Sequence, residues 1–235
     1  MNTIRKGSRG EDVKKLQELL SITADGIFGP ITRAAVIAYQ SANGLKADGI
    51  AGPLTWGKLL GEEQGASGKV VYKKPVDYKQ YDCRWAAKMY SSHGDKSQTM
   101  KSSACGPTAM ADVVATLIDP DVTPPLLADK AMAWGDRSYS SGTNWSFFPH
   151  IAKEYGFSKY VKTTSLATLK ACLDSGGYAV ASMDKGYWTS GGHYICVWKY
   201  DADYIYANDP ASSKRTKQKI SDFMKERKAF FCFWK

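Results

Sequence analysis

No stretch of the 235-residue sequence approaches the ~20 consecutive apolar residues that a membrane-spanning helix needs, so membrane insertion is not expected. Met1-Asn2-Thr3-Ile4-Arg5-Lys6-Gly7 contains no apolar core of a secretory leader, and synthesis in a cytoplasm is the expectation. Cysteine is sparse and unpatterned: Cys83, Cys105, Cys172, Cys196 and Cys232 make an odd number without CxxC spacing. That speaks against both a disulfide framework and a structural zinc site, and it predicts packed thiols for most, Cys172 and Cys232 among them. Histidine is scarcer still. His93, His150 and His193 form no HxxxH or HExxH pattern, so neither a metal nor another cofactor is expected. Low-complexity tracts are missing too. Fourteen Tyr, seven Trp and eight Phe instead supply the apolar area of a folded core, which excludes a disordered chain.

Charge is present in excess and unevenly placed. Residues 1–66 carry 8 Lys and Arg against 7 Asp and Glu, whereas residues 67–235 carry 24 against 16, within a net charge of +9. Part of the excess is the run Lys214, Arg215, Lys217, Lys219, Lys225, Arg227 and Lys228. A basic surface suits a polyanion: nucleic acid, anionic lipid or an anionic cell-wall polymer. No helix-turn-helix, RRM or zinc-finger pattern occurs, so a nucleic-acid partner is not expected.

The first sixty residues repeat themselves. Asp25-Gly26-Ile27-Phe28-Gly29-Pro30-Ile31-Thr32 returns as Asp48-Gly49-Ile50-Ala51-Gly52-Pro53-Leu54-Thr55. Each copy reads as a tight turn followed by a helix start, with Gly for unusual φ and Pro in the first helical turn. Val13, Leu16, Leu19 and Leu20 predict one helix. Ile31, Ala34, Ala35, Ala38 and Tyr39 predict the buried face of a second, ended by Asn43-Gly44, and a third runs from about Leu54 to Leu60. Three short helices make a small bundle. Beyond it, a Gly-rich polar stretch without periodicity predicts a linker.

Farther on, Ser102-Ser103-Ala104-Cys105-Gly106-Pro107-Thr108 leads into Met110, Val113, Val114 and Leu117 at helical spacing. Pro107 belongs in the first turn, which puts Cys105 at or just before the helix N-terminus. Free backbone N–H groups and the positive end of the helix dipole stabilise a thiolate there, and a thiolate is a nucleophile. His193 opens the apolar run Tyr194-Ile195-Cys196-Val197-Trp198, and a second strand, Tyr204-Ile205-Tyr206-Ala207, ends in Asn208-Asp209-Pro210. A turn centred on Asp201 sets His193 directly opposite Asp209. A two-residue turn at Asp201-Ala202 makes them diagonal on offset faces unless a bulge intervenes. In the first register the carboxylate can orient the imidazole. Trp134, Trp145 and Trp188 lie in Gly- and Ser-rich surroundings, and Trp188, close before His193, is the one expected to contact substrate.

Two resemblances follow from these blocks. Ile4-Arg5-Lys6-Gly7-Ser8-Arg9-Gly10-Glu11-Asp12-Val13, Leu16-Gln17, the two repeated turns and Tyr39-Gln40 resemble the peptidoglycan-binding domain of cell-wall hydrolases. Gln80-Tyr81-Asp82, Trp85, Ala104-Cys105-Gly106-Pro107-Thr108, Gly192-His193-Tyr194 and Asn208-Asp209-Pro210 resemble the papain-like cysteine peptidases of the C39-like family. That resemblance implies Cys105 as nucleophile, His193 as general base and then acid, and Asp209 as its orienting partner. It also implies Gln80 as an oxyanion-hole donor beside the Cys105 backbone N–H, with Gln98 a rival for that role. The family usually has Gly or Asp where Ala104 stands.

The expected fold is therefore α+β: a three-helix bundle over 1–62, a linker over 63–69 and a papain-like domain over 70–235 whose Cys-bearing helix packs on an antiparallel sheet. The expected function is that of a phage endolysin, held in the host cytoplasm until lysis, which cleaves an amide in the peptide part of peptidoglycan as an endopeptidase. An N-acetylmuramoyl-L-alanine amidase with the same triad and a non-catalytic wall-binding protein are the alternatives. The expected partners are peptidoglycan and anionic wall polymers.

Overall fold

Two buried glutamines organise the beginning of the chain. The structure, a computed structural model, describes residues 2–60, 70–140 and 142–235. The chain divides into two units, Met1–Val71 and Tyr72–Lys235, and the expected linker over 63–69 lies outside the described residues. In the first unit α1 (Glu11–Leu19), α2 (Pro30–Ala42) and α3 (Pro53–Leu59) enclose Val13, Leu16, Phe28, Val36 and Trp56. Gln17 Nε2 shares its two hydrogens among Asp25 Oδ1 (2.7 Å), Ile27 O (3.1 Å) and Thr32 Oγ1 (3.0 Å), and its Oε1 accepts from the Gly26 N–H (2.9 Å). Gln40 repeats all four bonds one copy later, with Asp48 Oδ1 (3.2 Å), Ile50 O (3.0 Å), Thr55 Oγ1 (3.1 Å) and Gly49 N–H (2.9 Å). Gly26 and Gly49 take the same left-handed φ, 74° and 73°, which only glycine adopts without strain. The repeated residues thus hold the backbone of their own turns.

That arrangement corrects the face expected for α2. Ile31 is 77% exposed and Ala34 and Ala38 are also exposed, whereas Thr32, Val36 and Gln40 are buried. The polar residues take the inner face because Thr32 and Gln40 satisfy the buried donors and acceptors of the two turns. An apolar count does not see this.

The second unit is a six-stranded antiparallel sheet between helices. The helices are α4 (Met100–Ser103), α5 (Cys105–Leu117), α6 (Pro124–Ala133), α7 (Phe147–Glu154), α8 (Leu166–Asp174) and α9 (Ile220–Glu226). The strands are β1 (Lys159–Thr163), β2 (Tyr178–Met183), β3 (His193–Tyr200), β4 (Tyr204–Asn208), β5 (Lys217–Lys219) and β6 (Arg227–Trp234), in spatial order β1-β6-β2-β3-β4-β5. Val180, Tyr194, Cys196, Phe231 and Phe233 pack on one face with Met110, Val113 and Val114 of α5. Ala181, Ile195, Val197, Phe230 and Cys232 pack on the other with Leu169 and Leu173 of α8 and Phe223 of α9. Burial on both faces explains why β2, β3 and β6 read as nearly continuous apolar runs.

The β3–β4 register matches neither simple hairpin. Cys196 pairs with Asn208 and Val197 with Ala207, but Lys199 pairs with Tyr206, so a bulge at Trp198 shifts the ladder. Continued by one residue, the inner register sets Asp209 opposite Ile195. His193 is then its diagonal neighbour on the same face, within side-chain reach.

Candidate active site

The site assembles where α5 begins and β3 begins. Cys105 is the first residue of α5, after Ala104, so its N–H has no carbonyl one turn earlier in that helix to bond. Gly106 is required beside it: a Cβ there would come within 2.7 Å of the Thr143 Cβ and Oγ1. Thr143 is fixed in turn, its Oγ1 sharing a hydrogen bond with Tyr90 Oη (2.9 Å) and its carbonyl accepting from Tyr194 Oη (2.8 Å). The loop before it is braced by the buried Arg137. Its guanidinium donates to Tyr90 O (2.8 Å), Ser138 O (2.6 Å), Gly142 O (2.7 Å) and Gln98 Oε1 (2.6 Å).

His193 stands at the start of β3 and is 7% exposed. One ring nitrogen, Nε2, lies 2.7 Å from Asp209 Oδ1, and the imidazole and the Cys105 thiol line the same cleft. Asp209 is fully buried and fully partnered. Its Oδ1 also accepts from the Ala211 N–H (2.8 Å), and its Oδ2 accepts from Arg215 Nε (2.5 Å). Burial alone pushes the Asp209 carboxyl upward, but His193, Arg215 and the Ala211 N–H outweigh it and hold the group below its ordinary range. Burial likewise disfavours charge on His193. Asp209 and Cys105 reverse that effect and raise its pKa to about 9. For Cys105, burial opposes ionisation, yet His193, with the Tyr194 and Gly106 N–H groups, brings the thiol below its ordinary value. The three shifts favour one state, a thiolate facing an imidazolium.

Gln80 reaches the same corner from the segment before α4. Its N–H donates to Pro210 O (3.0 Å) and its Nε2 to Lys101 O (2.5 Å), while the neighbouring Lys79 Nζ donates to Asp209 O (2.8 Å). An amide nitrogen carries two hydrogens, and Lys101 takes one. Gln80 Oε1 is buried without a partner. Gln98, its rival, is occupied at both ends of its amide: Oε1 by Arg137 and Nε2 by Asp95 Oδ2 at 3.2 Å.

Cys105, His193, Thr143, Trp145, Met183 and Lys228 line one open cleft of about 470 Å³. Trp188 does not belong to it, which corrects the expected substrate contact. It is fully buried on the opposite face of the sheet against Phe223, and its Nε1 donates to Gln218 Oε1 (2.5 Å). Trp145, 40% exposed, is the indole at the cleft. Arg215 was hidden as well, because in the sequence it is one cation of a basic run. The other two histidines lie elsewhere, His93 stacked on Tyr139 (3.8 Å) and His150 bonded through Nδ1 to Asp136 Oδ2 (2.8 Å). Among the described residues no group of three or more His, Cys, Asp or Glu is placed to hold a metal ion, and no helix is long and apolar enough to cross a membrane.

A helix that begins at a cysteine, laid across an antiparallel sheet that supplies a histidine, defines a papain-like α+β domain. The Peptidase C39-like family matches residues 77–234, and the chain belongs to that family. A peptidoglycan binding domain family matches residues 9–59. Among solved structures, a Burkholderia AP3 phage endolysin is 45% identical over 27% of this chain and 26% of its own, with a TM-score of 0.27. A peptidoglycan-binding protein from Clostridioides difficile is 44% identical over 25% of this chain and 40% of its own (TM-score 0.24). A C39-like peptidase from Bacillus anthracis is 16% identical over 70% of this chain and 97% of its own (TM-score 0.48). The chain thus spans about a quarter of the endolysin it matches. No curated protein matches it.

Proposed function

We propose that this protein is a peptidoglycan hydrolase of the endolysin type, a cysteine endopeptidase that cuts an amide in the peptide part of the bacterial wall. The observation that carries the reading is Cys105 at a helix N-terminus sharing one cleft with His193, which is hydrogen-bonded to Asp209, in a chain that also matches a peptidoglycan-binding family. The Cys105 thiolate attacks the amide carbonyl and forms a C–S bond as the carbonyl electrons move onto oxygen. The Cys105 N–H and the uncommitted hydrogen of Gln80 Nε2 are the donors assigned to that oxyanion. The imidazolium of His193 gives its proton to the departing amine as the C–N bond breaks, leaving a thioester. Neutral His193 then takes a proton from water, whose oxygen displaces the thiol and releases a carboxylic acid. Asp209 holds the ring in place through both steps.

Digestion of purified sacculi followed by mass spectrometry of the products tests this reading. Wild-type protein is expected to release muropeptides cut within the stem or cross-bridge, and Cys105→Ala is expected to release none while still sedimenting with the wall. Intact stems freed from bare glycan would make the enzyme an amidase. Products that persist with Cys105→Ala would end the thiol assignment, and their absence with both proteins would leave a wall-binding protein.

A further inference from the structure

β2 and β6 pair Ser182 with Ala229 and Met183 with Arg227, which leaves Lys228 as the extra residue of a bulge. A bulge turns one side chain out of the alternation of its strand, and bulges recur beside active sites for that reason. Here the turned-out side chain joins the lining of the cleft that holds Cys105 and His193. The Lys228 ammonium is only loosely paired. Its nearest carboxylate, Asp184, is 3.6 Å away, and the two side chains are 45% and 58% exposed, so the pair is long and open to solvent.

A second ammonium stands against one of the cleft's lining residues, Trp145. Lys162 of β1 lies opposite Phe231 of β6 and places Nζ 4.7 Å from the centre of the Trp145 ring, which itself lines the cleft and packs edge-on against Phe231. The cleft therefore has one cation inside it and another at the indole that bounds it. Neither Cys105 nor His193 needs these charges. A substrate group that would use them is an anion carried close to the scissile amide.

Resting on the hydrolase reading, we infer that the Trp145–Lys228 wall is a subsite for a free carboxylate on the residue flanking the cleaved bond. The substrate class is then a peptide bearing an ionised carboxylate next to the scissile amide, in preference to the same peptide with that group amidated. Lys228 supplies the charge contact, and Trp145, held by Phe231 and covered by Lys162, supplies a fixed apolar wall for the residue that carries the carboxylate.

The test is an internal competition. Sacculi whose stems carry both the free carboxylate and its carboxamide are digested by the full chain, and early products of the two kinds are counted by mass spectrometry. That ratio reports the ratio of kcat/KM directly. Wild-type protein is expected to favour carboxylate-bearing products about fivefold, Lys228→Met to abolish the preference, and Lys228→Arg to retain most of it. Lys225→Met removes the same charge from an exposed position outside the cleft and is expected to leave the ratio unchanged. A wild-type ratio of one, or a preference that survives Lys228→Met, would overturn the subsite and leave the hydrolase standing. Failure to release any Cys105-dependent product would overturn the hydrolase itself.

Discussion

At the scale of single residues, the state of Cys105 depends on its neighbours rather than on the thiol. Burial works against a thiolate, and His193 reverses the balance. The sign is fixed by the two shifts together: Cys105 releases its proton below its ordinary range, and His193 keeps one up to about pH 9. Between those limits thiolate and imidazolium coexist, so activity is expected to rise through the first and fall through the second. Removing the imidazole leaves the burial uncompensated. His193→Ala is therefore expected to move Cys105 ionisation upward, to the ordinary thiol range of about 8.5 or beyond. Site-resolved alkylation by iodoacetamide across pH measures this, with the exposed Cys83 as reference. A Cys105 profile unaltered in the variant would refute the ion pair.

Arg215 acts one step farther out. It bonds the oxygen of Asp209 that His193 does not use, so Arg215→Met leaves that oxygen buried with one charged donor fewer. Losing such a bond should lower kcat/KM by about tenfold. Because Arg215 also holds the Asp209 carboxyl down, its removal should raise the Asp209 pKa, so that protonation of this carboxylate adds a loss of activity on the acid side of the Cys105 limb, and Arg215→Lys should restore part of both. A unit change in rate with an unmoved profile would count against this positioning role. Cys105, His193 and Asp209 were legible because short motifs carry them: a Gly-Pro helix start, a strand opening, a strand end. Arg215 was not, since a cation within a basic run gives no sign of its partner.

At the scale of elements, the sequence located helices and strands better than it assigned their faces. The start of α5 at Cys105 follows from Pro107 and the spacing of Met110, Val113, Val114 and Leu117. The face of α2 does not follow from its apolar residues, because Gln40 and Thr32 are buried by hydrogen bonding. The β3–β4 register was beyond reach for a related reason: a bulge at Trp198 is invisible to alternation, and it changes which residues are opposed. The glutamine clamp predicts its own fragility. Gln40→Leu keeps the volume but leaves the Gly49 N–H without its buried partner and removes one of the two bonds of the Thr55 hydroxyl. Unpaired buried groups cost about 1–3 kcal/mol each, so the first unit should lose roughly 2 kcal/mol or more. Hydrogen exchange should then quicken at the α2 and α3 amides while those of α5 keep their protection. Unchanged exchange in α2 and α3 would mean that the clamp contributes little.

At the scale of the molecule, the excess of cations lies in residues 67–235, yet not every cation is free to meet a partner. Arg215 is bound to Asp209, Lys79 bridges Asp77 and two carbonyls, and Lys217 sits 4.5 Å from the centre of the Tyr204 ring. On the proposed reading, a wall-binding unit joined to an enzymatic one keeps the enzyme near its substrate, because a second contact becomes intramolecular once the first has formed. On the same reading the remaining positive surface adds a third, weaker attraction to anionic wall polymers. The two kinds of binding differ in their response to salt. Wall contacts of the first unit made through hydrogen bonds and apolar packing would tolerate it, whereas attraction between exposed charges fades as the screening length falls from about 10 Å at 0.1 M to about 3 Å at 1 M. Cys105→Ala protein sedimented with sacculi should therefore show a salt-sensitive fraction of binding and a salt-resistant one. Stripping the anionic polymers from the wall should remove the first and spare the second. Binding that ignored salt on intact sacculi would assign wall attachment to the peptidoglycan contacts alone and leave the charge of the second unit without a partner in the wall.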